Sequence, residues 1–381
     1  MRRLGRASLG LPLLNFRLFQ LFAQSARTYS TRCVALIQRS LVIDMLSQFK
    51  LGAFPDVVLD PNPPTARWWS HPETFTTTEL ARYQQSGINV FHIGWGTGKA
   101  DPFGGAVKVL NAWDGFIKHF SRDFAPVLSV ADMDDLKREK KIGILLGFQG
   151  SDHFRALDDI NFFHGLGQRV SQLTYNDRNA IGSGCEVSDS GLTQYGSQVV
   201  GRMNDVGMAI DLSHCGPRTT VDACRTSKRP VLFTHANCQA LNPHPRNKSD
   251  AAIKAMAATG GVMGISGVRP LVSRREPVTI ENVLDHFDHV VRLVGIEHVG
   301  IGSDIDLDGY DALPPSLRMK MLTGHRHSPA MRGDIDGLNH PQRVFDLTEG
   351  LMRRHYSDSD IEKILGGNFR RALAAIWGAS S

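Results

Sequence analysis

Three apolar runs in this 381-residue chain end in side chains that could bind a divalent metal. Asp211-Leu-Ser-His214 closes one run, Phe233-Thr-His235 a second, and Gly302-Ser-Asp304-Ile-Asp306 a third. Imidazole nitrogens and carboxylate oxygens together suit Zn2+ or a similar ion. Taken singly, a histidine at the end of a strand is more often a satisfied core residue. Two histidines and an aspartate in equivalent places favour a metal site, and a metal at such a site can activate water for hydrolysis.

These residues need a scaffold that brings their ends together. Eight short apolar, β-branched runs recur: Leu41–Leu46, Ile88–Ile93, Gly143–Phe148, Arg169–Thr174, Gly207–Leu212, Pro230–Thr234, Gly261–Ser266 and His298–Asp304. Their continuous apolar character predicts strands buried on both faces of a parallel sheet. Helix-like stretches lie between most of them, at Thr76–Gln85, Asp132–Lys140, Phe154–His164, Gly191–Asn204, Pro217–Ser227, Ser249–Ala258 and Thr279–Val294, with start signals at Thr78 and Ser249-Asp250. Alternation of this kind means βαβ units, and eight of them predict an α/β protein, a closed (β/α)8 TIM-type barrel. The open doubly wound sheet is the alternative that periodicity leaves standing. In a barrel the candidate ligands share the C-terminal rim, where such folds keep their chemistry. Leu307 to about Asn339 reads as a long loop on that face, and Ser357–Ile376 as the closing helix capped by Ser357.

Composition bounds the rest. Residues 1–40 carry seven arginines and no acid before Asp44, and without them the net charge of +5 falls to −2. The body is near neutral, which argues against a nucleic-acid partner. The Arg-rich leader resembles a mitochondrial transit peptide, with Leu9–Phe22 able to form a helix; the alternative is a mis-assigned start with a disordered tail before about residue 38. The expected organisation is a presequence-like or disordered tail over 1–40 and one barrel domain over 41–381. Localisation is expected to be mitochondrial if the leader is genuine and cytoplasmic otherwise. Five cysteines without a CxxC pair argue against a disulfide framework or a thiolate zinc site. Nothing approaches the roughly 20 apolar residues of a membrane helix, and no hydrophobic tail suggests a lipid anchor. A symmetric homodimer is the general prior for such an enzyme.

Asp211-Leu-Ser-His214, Pro230-Val-Leu-Phe-Thr-His235, Pro245-Arg246-Asn247, His298 through Asp306, and Gly366-Gly-Asn368-Phe-Arg370 together resemble the renal (membrane) dipeptidase family, over about residues 41–376. The resemblance implies a metal-dependent hydrolase acting on a dipeptide or similar small amide with a free carboxylate. It implies that His214 and His235 bind one zinc of a binuclear centre, that Asp304 handles the proton of the attacking water, and that Arg246 grips the substrate carboxylate. A planar guanidinium suits that last task because it pairs bidentately.

The departures from the family pattern are specific. Leu46 and Gln48 stand where a His-x-Asp pair is expected, Gln149 where a bridging glutamate is expected, and Tyr175 where a substrate-contacting histidine is expected. A neutral amide is a poor bridge between two cations, and leucine has no ligand atom. One zinc is therefore expected rather than two, held by His214 and His235 with help from Asp304, with Asp44 at the same rim as a further candidate ligand. Gln149 and Tyr175 are expected to orient substrate, and Tyr175 could equally pack over the barrel mouth or donate to an oxyanion. The alternative function is an impaired barrel that binds an amino-acid-like ligand without hydrolysing it. A different reaction on the same scaffold is a third reading, since fold does not fix chemistry. His92 reads as a core histidine, Asp152-His153 as a weak substitute ligand, Trp68, Trp69 and Trp95 as packing or pocket-lining residues, and His325 and His327 as part of a surface loop.

Overall fold

The runs without alternation become strands whose residues are buried on both faces. Val90–Trp95 and Ile142–Phe148 have no exposed residue. The computed structural model describes residues 28–49, 67–98, 100–313 and 332–378. The leader segment Leu9–Phe22 and the pair His325 and His327 lie outside the described residues.

Nine parallel strands occur there: β1 Ile43–Asp44, β2 Val90–Trp95, β3 Phe124–Pro126, β4 Ile142–Phe148, β5 Gln168–Gln172, β6 Ala209–Asp211, β7 Val231–Ala236, β8 Val262–Ile265 and β9 Val299–Ile301. Their order is β2-β1-β9-β8-β7-β6-β5-β4, and β2 pairs with β4 to close the ring. The eight barrel strands match the eight expected runs. The ninth, β3, was not foreseen. It pairs with the first half of β4, Phe124 opposite Ile142 and Pro126 opposite Ile144, while β5 takes the second half. The open-sheet alternative is thereby excluded.

Helices α1 Thr31–Arg39, α2 Thr77–Gln85, α3 Pro102–His119, α4 Val130–Glu139, α5 Leu157–Gly165, α6 Gln194–Val206, α7 Pro217–Thr226, α8 Asp250–Ala258, α9 Ile280–Val294 and α10 Arg343–Arg353 surround the strands. The chain then runs from α11 Asp358–Glu362 through a π-helical turn, Lys363–Gly367, into α12 Asn368–Trp377. Ser249 and Ser357 are the N-caps expected, accepting from Ala252 N and Asp360 N. For α2 the cap is Thr76 rather than Thr78, its hydroxyl accepting from Glu79 N.

Apolar side chains fill two compartments. Ile43, Met45, Val90, Leu145, Val170, Ala209, Leu232 and Val262 pack inside the barrel, where Phe369, Ala372, Leu373 and Ile376 of α12 plug it. The plug sits at the N-terminal ends of the strands, since Arg229, just before β7, donates to the Ile376 carbonyl at 2.7 Å. A larger set packs between strands and helices and includes Phe49, Trp68, Tyr83 and Trp113. With one mouth closed by side chains, a ligand must enter at the C-terminal mouth.

The expected tail over 1–40 requires correction. Ser30 caps α1, and Cys33, Leu36 and Ile37 on its inner face are buried. Tyr29 donates to Asp346 on α10 at 2.7 Å, and Arg32 and Arg39 pair with Asp358 and Glu362 at 2.5–2.7 Å. Residues 29–39 are thus part of the barrel body, and two of the seven leader arginines have acidic partners within it. No helix among the described residues is long and apolar enough to cross a membrane.

Candidate active site

The site begins with the residues that follow β6 and β7. Asp211, at the end of β6, is buried and accepts from Ser213 N, from Thr234 N and from the hydroxyls of Ser213 and Thr234, all within 3.0 Å. These bonds lock the turns carrying His214 and His235. Thr234 donates its hydroxyl hydrogen to Asp211, so at 2.8 Å its oxygen accepts from Nδ1 of His235. On the other side, Asn176 donates its amide NH2 to Glu186 at 2.8 Å, which turns its carbonyl oxygen to Nδ1 of His214 at 2.6 Å. Both imidazoles therefore carry their protons on Nδ1, as these networks assign them. Burial, with Arg246, His92 and Lys248 nearby, pushes His235 well below the ordinary imidazole range, so its ring is neutral.

With both rings neutral, the two Nε2 atoms present lone pairs to each other, 3.1 Å apart. Two facing acceptors repel unless a cation lies between them. Two nitrogens at about 2.0–2.1 Å from one tetrahedral zinc stand about 3.3 Å apart. Bonding of the second ring nitrogen is the usual support of a ligating histidine. The residues at this position fit one ion.

The second metal position that the resemblance implies does not fit. Leu46 is fully buried and packs against Gly94; a Cβ on that glycine would stand 2.6 Å from Leu46 Cδ1. Gln48 donates to Asp304 Oδ1 at 2.6 Å, and Gln149 donates to the Gly94 carbonyl at 2.9 Å. Among the described residues no group of three or more His, Cys, Asp or Glu side chains converges to hold a metal. Asp44 is corrected as a candidate ligand. Its carboxylate accepts from Ser303 N at 2.8 Å and Ser303 Oγ at 2.5 Å, and it pairs at 3.2 Å with the equally buried Arg343 of α10. It is a structural anion, absent from the cavity wall.

The cavity at the C-terminal mouth measures about 540 Å3, and its wall includes Gln48, Gln149, Tyr175, His214, Arg246 and Asp304. Five of the seven expected site residues thus meet in one wall; His235 lies just behind it, against His214. Asp304 has a left-handed backbone, φ 55°, unusual for a residue other than glycine. Burial pushes its carboxyl up to about 7, with Asp44 and Asp211 adding to the rise against Arg246 and the Gln48 hydrogen bond. Arg246 is 5% exposed and donates to the carbonyls of Ser213 and His235, the latter at 2.7 Å. It braces both histidine-bearing turns, and only part of its fork is committed. Tyr175 stacks on His214, ring centroids 4.2 Å apart and 20° from parallel. The ring packs over the barrel mouth, the plainer of the two expectations for Tyr175, and forms part of the cavity wall.

The residues held apart from chemistry mostly stay apart. His92 is buried and donates from Nδ1 to the Met45 carbonyl at 2.5 Å. His153 is buried against Gln168, and Trp69, Trp95 and Trp113 pack together. The loop from Asn176 to Glu186 adds Asn176, Cys185 and Glu186 to the cavity wall. Sequence reasoning passed over Asn176, Glu186 and Arg274 as site residues. No spacing marks them; they reach the site through loop folding.

A closed α/β barrel with an imidazole pair at its C-terminal rim is built like the metal-dependent hydrolases. The family model for membrane dipeptidases (Peptidase family M19) matches residues 65–320, and the chain belongs to that family. It is 29% identical over 265 residues to the dipeptidase verJ of Clonostachys rogersoniana, covering 68% of this chain and 62% of that protein. Over 252 residues it is 29% identical to the dipeptidase tcpJ of Claviceps purpurea (strain 20.1), covering 64% and 54%. The matches thus span less than two thirds of these curated relatives. A solved amidohydrolase from Pseudomonas aeruginosa superposes with a TM-score of 0.76 at 26% identity, over 91% of this chain and 99% of the other.

Proposed function

We propose that the chain hydrolyses a dipeptide, or a similarly small amide with a free carboxylate, using one zinc ion held by Nε2 of His214 and His235. One observation carries the reading: Asp304, Arg246, Tyr175, Gln149 and His214 line a single cavity, with His235 directly behind. An ion there supplies Lewis acidity, lowering the pKa of water and polarising the amide carbonyl. The chain's own residues supply the rest. Arg246 has five N–H donors and commits two to carbonyls, leaving others for the substrate carboxylate. Asp304, with its carboxyl near neutrality, takes a proton from water and returns it to the leaving amine. The Tyr175 hydroxyl donates to the developing oxyanion, and Oε1 of Gln149 accepts from the substrate.

A panel of dipeptides assayed with zinc-loaded wild type and Arg246→Met tests this. Turnover is expected, with kcat/KM falling on the order of a hundredfold in the variant, the usual scale for removing one partner of a buried charge pair. The second reading, a barrel that binds such ligands without cleaving them, is favoured by Leu46, Gln48 and Gln149 at the first metal position. Binding of the same peptides by zinc-loaded protein with no turnover would select it.

A further inference from the structure

The cavity wall carries a second guanidinium that the proposed reaction does not use. Arg274 lies on it beside Val268, Pro270 and Leu271. Among the described residues the side chain has no hydrogen bond or ion pair, although its neighbours are tied down. Arg269 donates to the Asp334 carbonyl at 2.6 Å and to Glu276, and Ser273 Oγ accepts from Arg275 N at 3.0 Å. The turn is therefore pinned at both ends, and the exposed Arg274 stands at the mouth with no acidic partner among the described residues. Arg246 is bonded only to neutral carbonyls, so its charge is not neutralised either.

The same wall carries two carboxylates, each accepting a hydrogen bond from a neutral amide. Glu186 accepts from Asn176, and Asp304 accepts from Gln48. Arg246 and Arg274 give the cavity two guanidiniums, of which a ligand's single α-carboxylate answers one. Its volume leaves room for more, since pockets of about 300–1,000 Å3 commonly hold ligands larger than a dipeptide of small residues.

We propose that the cavity selects substrates whose C-terminal residue carries a second anionic group, Arg246 taking the α-carboxylate and Arg274 the side-chain carboxylate. Arg274 is then a specificity residue, with Val268 and Leu271 lining the aliphatic part of that side chain. This rests on the dipeptide reading of the site.

The test compares each acidic peptide with its neutral isostere, Ala-Glu with Ala-Gln and Ala-Asp with Ala-Asn, on wild type, Arg274→Gln and Arg274→Lys. Wild type should prefer the acidic member by roughly tenfold in kcat/KM, the scale of one charge-assisted pair at a partly solvated mouth. Arg274→Gln should bring that ratio close to one, and Arg274→Lys should keep most of it. Equal use of acid and amide by wild type, or a preference that survives Arg274→Gln, overturns the assignment. Should no peptide be cleaved, the hydrolase reading fails, and the same ratio is read from dissociation constants by calorimetry. An acidic preference lost in Arg274→Gln then still supports Arg274, whereas equal binding or none refutes it.

Discussion

Asp304→Asn should stabilise the fold while removing the proton-handling group, and the gain should grow with pH. The folded carboxyl sits at about 7, against about 3.9 in an unfolded chain. A raised carboxyl makes folding favour the protonated form. The associated stability is present at low pH and is lost as pH rises from about 4 through 7. At about 1.4 kcal/mol per unit, the three-unit difference penalises wild type by up to about 4 kcal/mol above pH 7. Asparagine tolerates the left-handed backbone at this position, keeps an oxygen to accept from Gln48 and carries no charge. Between pH 5 and pH 8 the advantage of the variant should widen by about 3 kcal/mol, or roughly 5 °C in Tm for a chain of this size. Thermal melts of both proteins in chelator, at the two pH values, measure it. A gap that stays constant, or closes at pH 8, would refute the environment assigned to Asp304.

The buried pair of Asp44 and Arg343 gives a second expectation. Arg343→Met strands a carboxylate in the core and should cost about 3–5 kcal/mol in urea unfolding, with Asp44→Asn recovering much of it in the double variant. Asp44→Asn alone should leave metal content unchanged, and a loss of metal would return Asp44 to the site. The triple variant Leu46→His, Gln48→Asp, Gln149→Glu should bind one more zinc than wild type by elemental analysis; an unchanged count would mean that these three side chains are not what closes the first position.

The barrel was legible because its strands are buried on both faces, which leaves uninterrupted runs such as Gly143–Phe148. Two of the elements missed have weak signals for physical reasons. β3 has three residues and pairs only with half of β4. α3 has Gly104 and Gly105 in its first turn, although Asp101 caps it and Trp113 and Phe116 anchor it. The helix α1 was masked by arginines that read as a leader, because sequence does not reveal that Asp358 and Glu362 come to meet them. In the site, His214, His235, Asp304 and Arg246 announce themselves at strand ends or in motifs. The hydrogen bonds that give them their states do not. The bond from Asn176 to His214 spans 38 residues and that from Gln48 to Asp304 spans 256, both set by how loops close over the mouth. Asp44 was misjudged because position along a strand does not tell which side of the barrel wall its carboxylate takes.

The central claim is that His214 and His235 share one cation on a scaffold that has closed its other metal position. Zinc stoichiometry of the loaded, dialysed protein tests it most directly, read by elemental mass spectrometry beside the His214→Ala/His235→Ala variant. One ion per wild-type chain and none in the variant is the predicted result. Two ions per chain, or an ion retained without the histidines, would contradict the account.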